Sequence, residues 1–256
     1  MAYLGGKAKG CEHILFFLNH PSVSNMKYVE PFVGYGHILR RVTNKSKYIA
    51  SDVNELLITL LKSVQKSNRY PVITKEQYYK LKTAKNSVRK AFAAFCYSYN
   101  GKEFGGYVGD TEKINGRNYP KERCNYYDSL RNNKIFLNTE LKCMGYQQHK
   151  PTKCLIYCDP PYIQTTTYGT INFDTNKFWN TMRQWSKNNI VLISEYKAPS
   201  DFKCISYSMK GVSVGGKGAQ APRQDCLFVH KSLLTKEPMK SMIKDYKKNT
   251  IGVKKT

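Results

Sequence analysis

Acidic residues are scarce in this 256-residue chain: 18 Asp plus Glu stand against 42 Lys plus Arg, leaving a net charge of +24. Such a surplus must spread over much of the surface, and it costs self-repulsion unless a polyanion relieves it. Nucleic acid is the obvious candidate, because neutralising phosphates releases condensed counterions. A ribosome-associated or merely Lys-rich protein accounts for the charge about as well. Paired cysteines are missing too. Cys11, Cys96, Cys124, Cys143, Cys154, Cys158, Cys204 and Cys226 are scattered without a CxxC pair, and several lie in apolar runs, where free Cys acts as a small hydrophobe. No spacing argues for zinc, so no metal is expected. No apolar run is long enough to span a bilayer, and no secretory signal is read at the start. These absences lead us to expect no membrane partner and a reducing, intracellular location. Internal repeats are lacking as well.

What is present is patterned. At 41% hydrophobic the chain can bury one substantial core, or one core with a satellite. Short apolar, β-rich runs at 28–32, 47–52 and 154–158 each end in a polar or glycine-rich turn. A fourth, 189–194, follows an amphipathic stretch at 174–187. Helical patterns occupy 11–20, 36–43 and 54–66. Strands alternating with helices indicate an open parallel α/β sheet, in which ligands sit beyond the carboxyl ends of the strands. The middle differs: a helical stretch at 75–99 precedes a loop, 101–123, rich in Gly, Lys, Arg, Asn and Tyr. It reads as an insertion into the α/β core. Residues 236–256 are strongly basic without a periodic apolar face, and are expected as a solvated tail, a phosphate-contacting arm being the sharper alternative.

Asp159-Pro160-Pro161-Tyr162 directly follows an apolar strand. Two prolines fix the backbone and remove two amide donors. The acceptors around Asp159 and Pro160 stay free, in a rigid turn that projects Tyr162. Such an edge suits an exocyclic amino group on a planar base: Asp159 and the Pro160 carbonyl accept its two N–H bonds, and Tyr162 stacks on the ring. Positioning of this kind supplies much of a rate. Taken alone, Asp159-Pro160-Pro161 reads better as an ordinary strand-ending turn with an Asp cap.

Phe32-Val33-Gly34-Tyr35-Gly36 follows the first strand, and its glycines permit close backbone approach to a ligand. The next strand ends in Ser51-Asp52, where a parallel α/β fold presents a carboxylate to ribose hydroxyls. Each is weak singly, and Asp52 reads as well as a helix cap ahead of Asn54. Their order favours a nucleoside-bearing ligand. Gly5-Gly6-Lys7 and Gly215-Gly216-Lys217-Gly218 lack the spacing and the Ser or Thr of a Walker loop.

In order, Tyr3-x-Gly5-Gly6-Lys7, Phe32-x-Gly34-x-Gly36, Ser51-Asp52-x-Asn54, a variable basic insert and Asp159-Pro160-Pro161-Tyr162 resemble the Dam-type, α-group adenine-N6 DNA methyltransferases. The likeness takes in 191–196 and a terminal strand at 223–229, nearly the whole chain. It implies a Rossmann-like, class I S-adenosylmethionine-dependent α/β sheet with an inserted, mostly helical target-recognition domain. Residues 1–64 and 151–235 would form the catalytic, cofactor-binding domain, 65–150 the DNA-binding insert and 236–256 the basic tail. By the same resemblance Tyr3, Lys7, Asp52 and Asp159 line a pocket for S-adenosyl-L-methionine, which leaves as S-adenosyl-L-homocysteine. Phe32, Gly34 and Gly36 shape that pocket. Asp159, Pro160 and Tyr162 hold an adenine flipped out of double-stranded DNA, since its amino group is otherwise stacked and paired.

Two positions depart from GATC-specific members. Ala2 stands where those carry a Lys. Phe104, in a 99–104 segment that resembles their YNG hairpin start, stands where they place a base-reading Arg. GATC is therefore not assumed. Asn100, Lys102, Tyr107, Arg117, Asn118, Lys121 and Arg123 are the candidate DNA contacts, most of the cations touching phosphates rather than bases. Two other readings stay open: the same fold acting on cytosine-N4 or on adenine in RNA, and a DNA-binding protein with a dead methyltransferase core. No obligate protein partner is evident, and a cognate restriction enzyme is compatible with the reading. Heavy Lys, Asn and Tyr usage fits an AT-rich genome such as that of a phage or large DNA virus.

Overall fold

The run Cys-Leu-Ile-Tyr-Cys is apolar on both faces, so it can form a strand only where both faces are covered. In the computed structural model, which describes residues 7, 10–67, 69–109, 116, 118–161, 173–210 and 223–252, it is strand β4 (Cys154–Cys158), buried at every position. Among the described residues it is joined by β1 (Lys27–Glu30), β2 (Lys47–Asp52), β3 (Thr139–Cys143), β5 (Ile190–Glu195), β6 (Phe202–Lys210) and β7 (Arg223–His230). They form one sheet in the order β3-β2-β1-β4-β5-β7-β6. Strands β1, β4 and β5 run parallel, with Val29 opposite Ile156 and Ile156 opposite Val191. Strand β7 runs antiparallel to β5 and closes a hairpin with β6. The order reverses between β1 and β4, the position where open α/β sheets take ligands.

The described residues fall into two compact units, bounded as Met1–Ala8, Val33–Arg40 and Ala50–Tyr146, and as Lys9–Phe32, Arg41–Ile49 and Gln147–Thr256. The first holds α2 (Glu55–Lys66), α3 (Lys75–Thr83), α4 (Val88–Cys96), α5 (Tyr119–Arg131) and the one-turn α6 (Lys134–Leu137). Helix α2 starts where the Asn54 side chain accepts from Leu57 N at 2.9 Å, and it buries Leu56, Leu57, Leu60, Leu61 and Val64. The second unit holds α1 (Glu12–Leu18), α7 (Thr175–Trp185) and α8 (Met239–Gly252). Helix α7 turns Phe178, Trp179, Met182 and Trp185 inward.

Three sequence expectations change. The pattern at 36–43 does not make an α-helix: Gly36 takes a left-handed φ of 73°, and only a 3-10 turn at Leu39–Arg41 follows. The stretch at 75–99 is two helices, because the Ser87 side chain caps α4 by accepting from Lys90 N. Instead of a solvated tail, 236–256 carries α8. Met239 and Met242 are buried there, and the Tyr246 ring lies 5.2 Å from Phe16 and 5.1 Å from Phe17. That sparse stripe, at positions i, i+3 and i+7 among lysines, is too thin to register in composition.

Because Ile156 is wholly enclosed, Ile156→Ala is expected to destabilise by about 2–5 kcal/mol in denaturant unfolding, whereas Val72→Ala, at a side chain 70% exposed, should change stability by under ~0.5 kcal/mol.

Candidate functional site

In the first unit the glycine turn is clamped to the end of β2. Val33 N donates to Ser51 O (2.9 Å), Gly36 N to Val33 O (2.8 Å) and Gly34 N to the Asp52 carboxylate at Oδ2 (3.2 Å). The other carboxylate oxygen, Oδ1, accepts from Asn54 N at 3.0 Å. Gly34 and Gly36 have φ of 49° and 73°, a region that penalises a side chain, and a Cβ at Gly34 would meet nothing within 4 Å. Burial pushes the Asp52 carboxyl above its ordinary range, and the backbone donors of Asn54, Gly34 and Val53 pull it back. A carboxylate has about four lone-pair sites, so acceptor capacity remains for hydroxyl donors on the open side. These residues fit the ribose-bearing end of a nucleoside cofactor. Lys7 belongs to this unit and is only 3% exposed; Tyr3 lies outside the described residues.

In the second unit Asp159, Pro160 and Pro161 leave the carboxyl end of β4, next to the end of β1; Tyr162 lies outside the described residues. Pro160 is buried, while Asp159 and Pro161 are half-buried. Phe32, just past β1, sets its ring edge-on to Phe173 and Phe178 at 6.2 and 6.0 Å, so α7 fixes it. Carboxylates gather at this edge beyond the one expected from sequence: Glu30 ends β1, Glu195 ends β5, and Asp225 lies on β7 one residue from Cys226, the partner of Glu195. All three are buried. The Tyr28 hydroxyl donates to Glu30 Oε2 at 2.6 Å. Burial first, then Asp159, with Asp225 and Glu30 adding, holds the Tyr157 phenol well above its usual range, opposed by its hydrogen bond with Ser194. The available signal was positional: Glu30 and Glu195 each close an apolar run.

The expected DNA contacts divide. Lys102 and Lys121 are exposed, and Asn100, with φ 51°, sits in a 3-10 turn at Tyr99–Gly101. Tyr107 is half-buried, its hydroxyl donating to Ile73 O at 3.1 Å and its ring stacked on Tyr97. Asn118 caps α5, accepting from Lys121 N at 2.9 Å. Arg117 lies outside the described residues. Arg123 corrects the expectation: it is 1% exposed, with its guanidinium 5.7 Å from the Tyr35 ring centroid, so it braces the interior and does not face solvent. A Cβ at Gly101 would collide with that guanidinium. Sequence reasoning missed Tyr35, whose ring meets Arg123, because an aromatic inside a glycine motif carries no mark of what lies beneath it.

Among the described residues no helix is long and apolar enough to cross a membrane, and no group of three or more His, Cys, Asp or Glu is arranged to hold a metal.

His37, at the end of the glycine turn, is 7% exposed, and neither ring nitrogen has a hydrogen-bond partner among the described residues. Burial, then Arg40 and Arg123, pushes its pKa down from 6.5 to about 4. The unfolded ring takes a proton that the folded ring refuses, so stability is full above pH 6.5 and is lost as pH falls towards 4. The His37 share of that loss is expected to approach about 3 kcal/mol. Thermal melts across this range should therefore show a flatter profile for His37→Phe, and an unchanged profile would contradict the assignment.

No curated protein sequence matches the chain. Similar solved structures include HI0767 from Haemophilus influenzae (10% identity, 86% of this chain, 88% of that one, TM-score 0.37). They also include YhhF from Escherichia coli (9%, 86%, 84%, 0.36) and an rRNA methylase from Streptococcus thermophilus (9%, 87%, 97%, 0.37). Likenesses this distant carry no chemistry. The mixed sheet, with its reversal between β1 and β4 and its antiparallel β7, is Rossmann-like, of the S-adenosylmethionine-dependent methyltransferase kind. Residues 3–214 match the D12 class N6 adenine-specific DNA methyltransferase family, and the chain belongs to that family.

Proposed function

We propose that this enzyme acts as a Dam-type, α-group member of its family, methylating N6 of an adenine flipped out of double-stranded DNA. The observation that carries the reading is the Asp159-Pro160-Pro161 turn leaving the fully buried β4 where the sheet order reverses. S-adenosyl-L-methionine, when bound, supplies an activated methyl group and departs as S-adenosyl-L-homocysteine. The chain's own residues do the rest. Gly34 and Gly36 let the backbone approach the cofactor, Asp52 accepts from its ribose, and Tyr3, Lys7 and Phe32 complete the pocket. Asp159 and the Pro160 carbonyl accept the two N–H bonds of the adenine amino group, drawing its lone pair out of conjugation. Tyr162 stacks on the ring. Residues 1–64 and 151–235 serve as the catalytic part and 65–150 as the target-recognition insert, whose last segment, β3, returns to the sheet. Lys102, Lys121 and Arg117 meet phosphates, with Asn100, Tyr107 and Asn118 near the recognition turn. Action inside a prokaryotic or virus-infected cell follows from a genomic substrate, and a cognate restriction enzyme is a compatible partner.

Incubating mixed-sequence duplex DNA with the chain and S-adenosyl-L-methionine, then sequencing single molecules, should reveal N6-methyladenine within one recurring sequence. N4-methylcytosine in its place, or methylation confined to RNA, would overturn the reading. Asp159→Ala should lose activity by on the order of 10²–10³-fold while still binding duplex DNA. Binding should weaken steeply between 50 and 200 mM salt. Lys102→Ala and Lys121→Ala should each lower the salt slope by about 1, as measured by fluorescence anisotropy.

A further inference from the structure

Both cofactor motifs of the first unit reach into the same short piece of the insert. From the glycine turn, the Tyr35 hydroxyl donates to Gly101 O at 2.9 Å, and Tyr35's own carbonyl accepts from the Tyr126 hydroxyl at 2.8 Å. From the end of β2, the Asn54 side chain donates through Nδ2 to Glu103 Oε2 at 2.7 Å, while its backbone N–H holds the Asp52 carboxylate. Beneath this piece lies the buried Arg123 guanidinium, against the Tyr35 ring on one side and Gly101 on the other.

The piece is conformationally tense. Within 100–106, Asn100, Gly101, Phe104 and Gly106 have φ of 51°, 66°, 45° and 116°. Two of these carry side chains, and Phe104 is bulky, so the segment keeps this shape only because its surroundings impose it. Those surroundings include the two cofactor motifs. Phe104 N also donates to Ala94 O, and Gly106 N to the Tyr78 hydroxyl.

We propose that Tyr35 is a positioning residue that makes cofactor binding and DNA binding favour one another. Ordering the 33–36 turn around a cofactor orders the Tyr35 hydroxyl, and with it the 100–106 turn that meets DNA. Whatever order DNA imposes on that turn returns to the cofactor by the same factor, because equilibrium coupling is reciprocal. The inference rests on the proposed roles of Gly34, Gly36 and Asp52 at the cofactor and of Asn100 and Lys102 at DNA.

The test titrates S-adenosyl-L-homocysteine into the full chain by calorimetry, with and without saturating mixed-sequence duplex DNA. Saturating DNA should tighten its Kd by at least about 5-fold in the wild type. In Tyr35→Phe the factor should fall to within about 2-fold of unity, while the Kd without DNA stays within about 3-fold of wild type. A role confined to stability would move the melting temperature and both Kd values together, leaving the ratio of the DNA-free to the DNA-bound Kd as in the wild type. Glu103→Ala, which removes the acceptor of the exposed Asn54 bond away from the Tyr35 packing, should lower the factor part of the way, and it decides whether the 100–106 turn couples the two ligands should Tyr35→Phe not fold. A wild-type factor retained in the folded variants overturns the coupling. So does a wild type that binds both ligands independently. A wild type that binds no S-adenosyl-L-homocysteine at all overturns the cofactor assignment with it, a different outcome from independent binding.

Discussion

Asp52 faces two backbone N–H groups, from Gly34 and Asn54, with its carboxylate half-withdrawn from water. Withdrawal disfavours the charge, and the amide donors oppose that in part. The same bonds hold the glycine turn to the end of β2 and fix the backbone of Asn54, whose side chain caps α2, the helix whose apolar face packs on α4 and α5. Without the carboxylate, Gly34 N would lose its partner and the left-handed turn would lose the bond that fixes it. The shape of the glycine turn thus depends on one side chain.

How much of this was legible in the sequence follows from how local each signal is. The β4 run and its Asp-Pro-Pro ending needed only neighbouring residues, and so did the glycine turn, whereas the cap of α2, offered to Asp52 as an alternative, is made by Asn54. Failures arose where distant residues decide the outcome. Arg123 looked like any cation in a basic loop, and only the Tyr35 ring and the missing side chain of Gly101 make a buried place for it. The stripe of Met239, Met242 and Tyr246 in α8 has meaning only against Phe16 and Phe17. The split between α3 and α4 was readable in principle from Ser87, a cap residue hidden inside an otherwise helical pattern.

Net charge describes the molecule at long range and misdescribes it at short range. A surplus of +24 draws in a polyanion from any side. Yet the carboxyl edge of the second unit gathers Glu30, Asp159, Glu195 and Asp225 within a few residues of the strand ends. Three of these four carboxyl groups are buried, where a charge acts on its neighbours more strongly than one in water. An enzyme whose donor is a cation and whose substrate is a polyanion needs both arrangements, on different length scales.

Gly101 and Arg123 illustrate a last consequence. Glycine there is favoured twice, by its own φ of 66° and by the guanidinium lying against it, and the guanidinium lies where a Cβ at 101 would be. The two positions therefore behave as a single heritable choice, though they lie far apart along the chain. A side chain at 101 must both accept the left-handed φ of 66° and displace the far end of Arg123. A lineage or library that varies this turn therefore meets two costs at 101, and a smaller residue at 123 lifts only one of them.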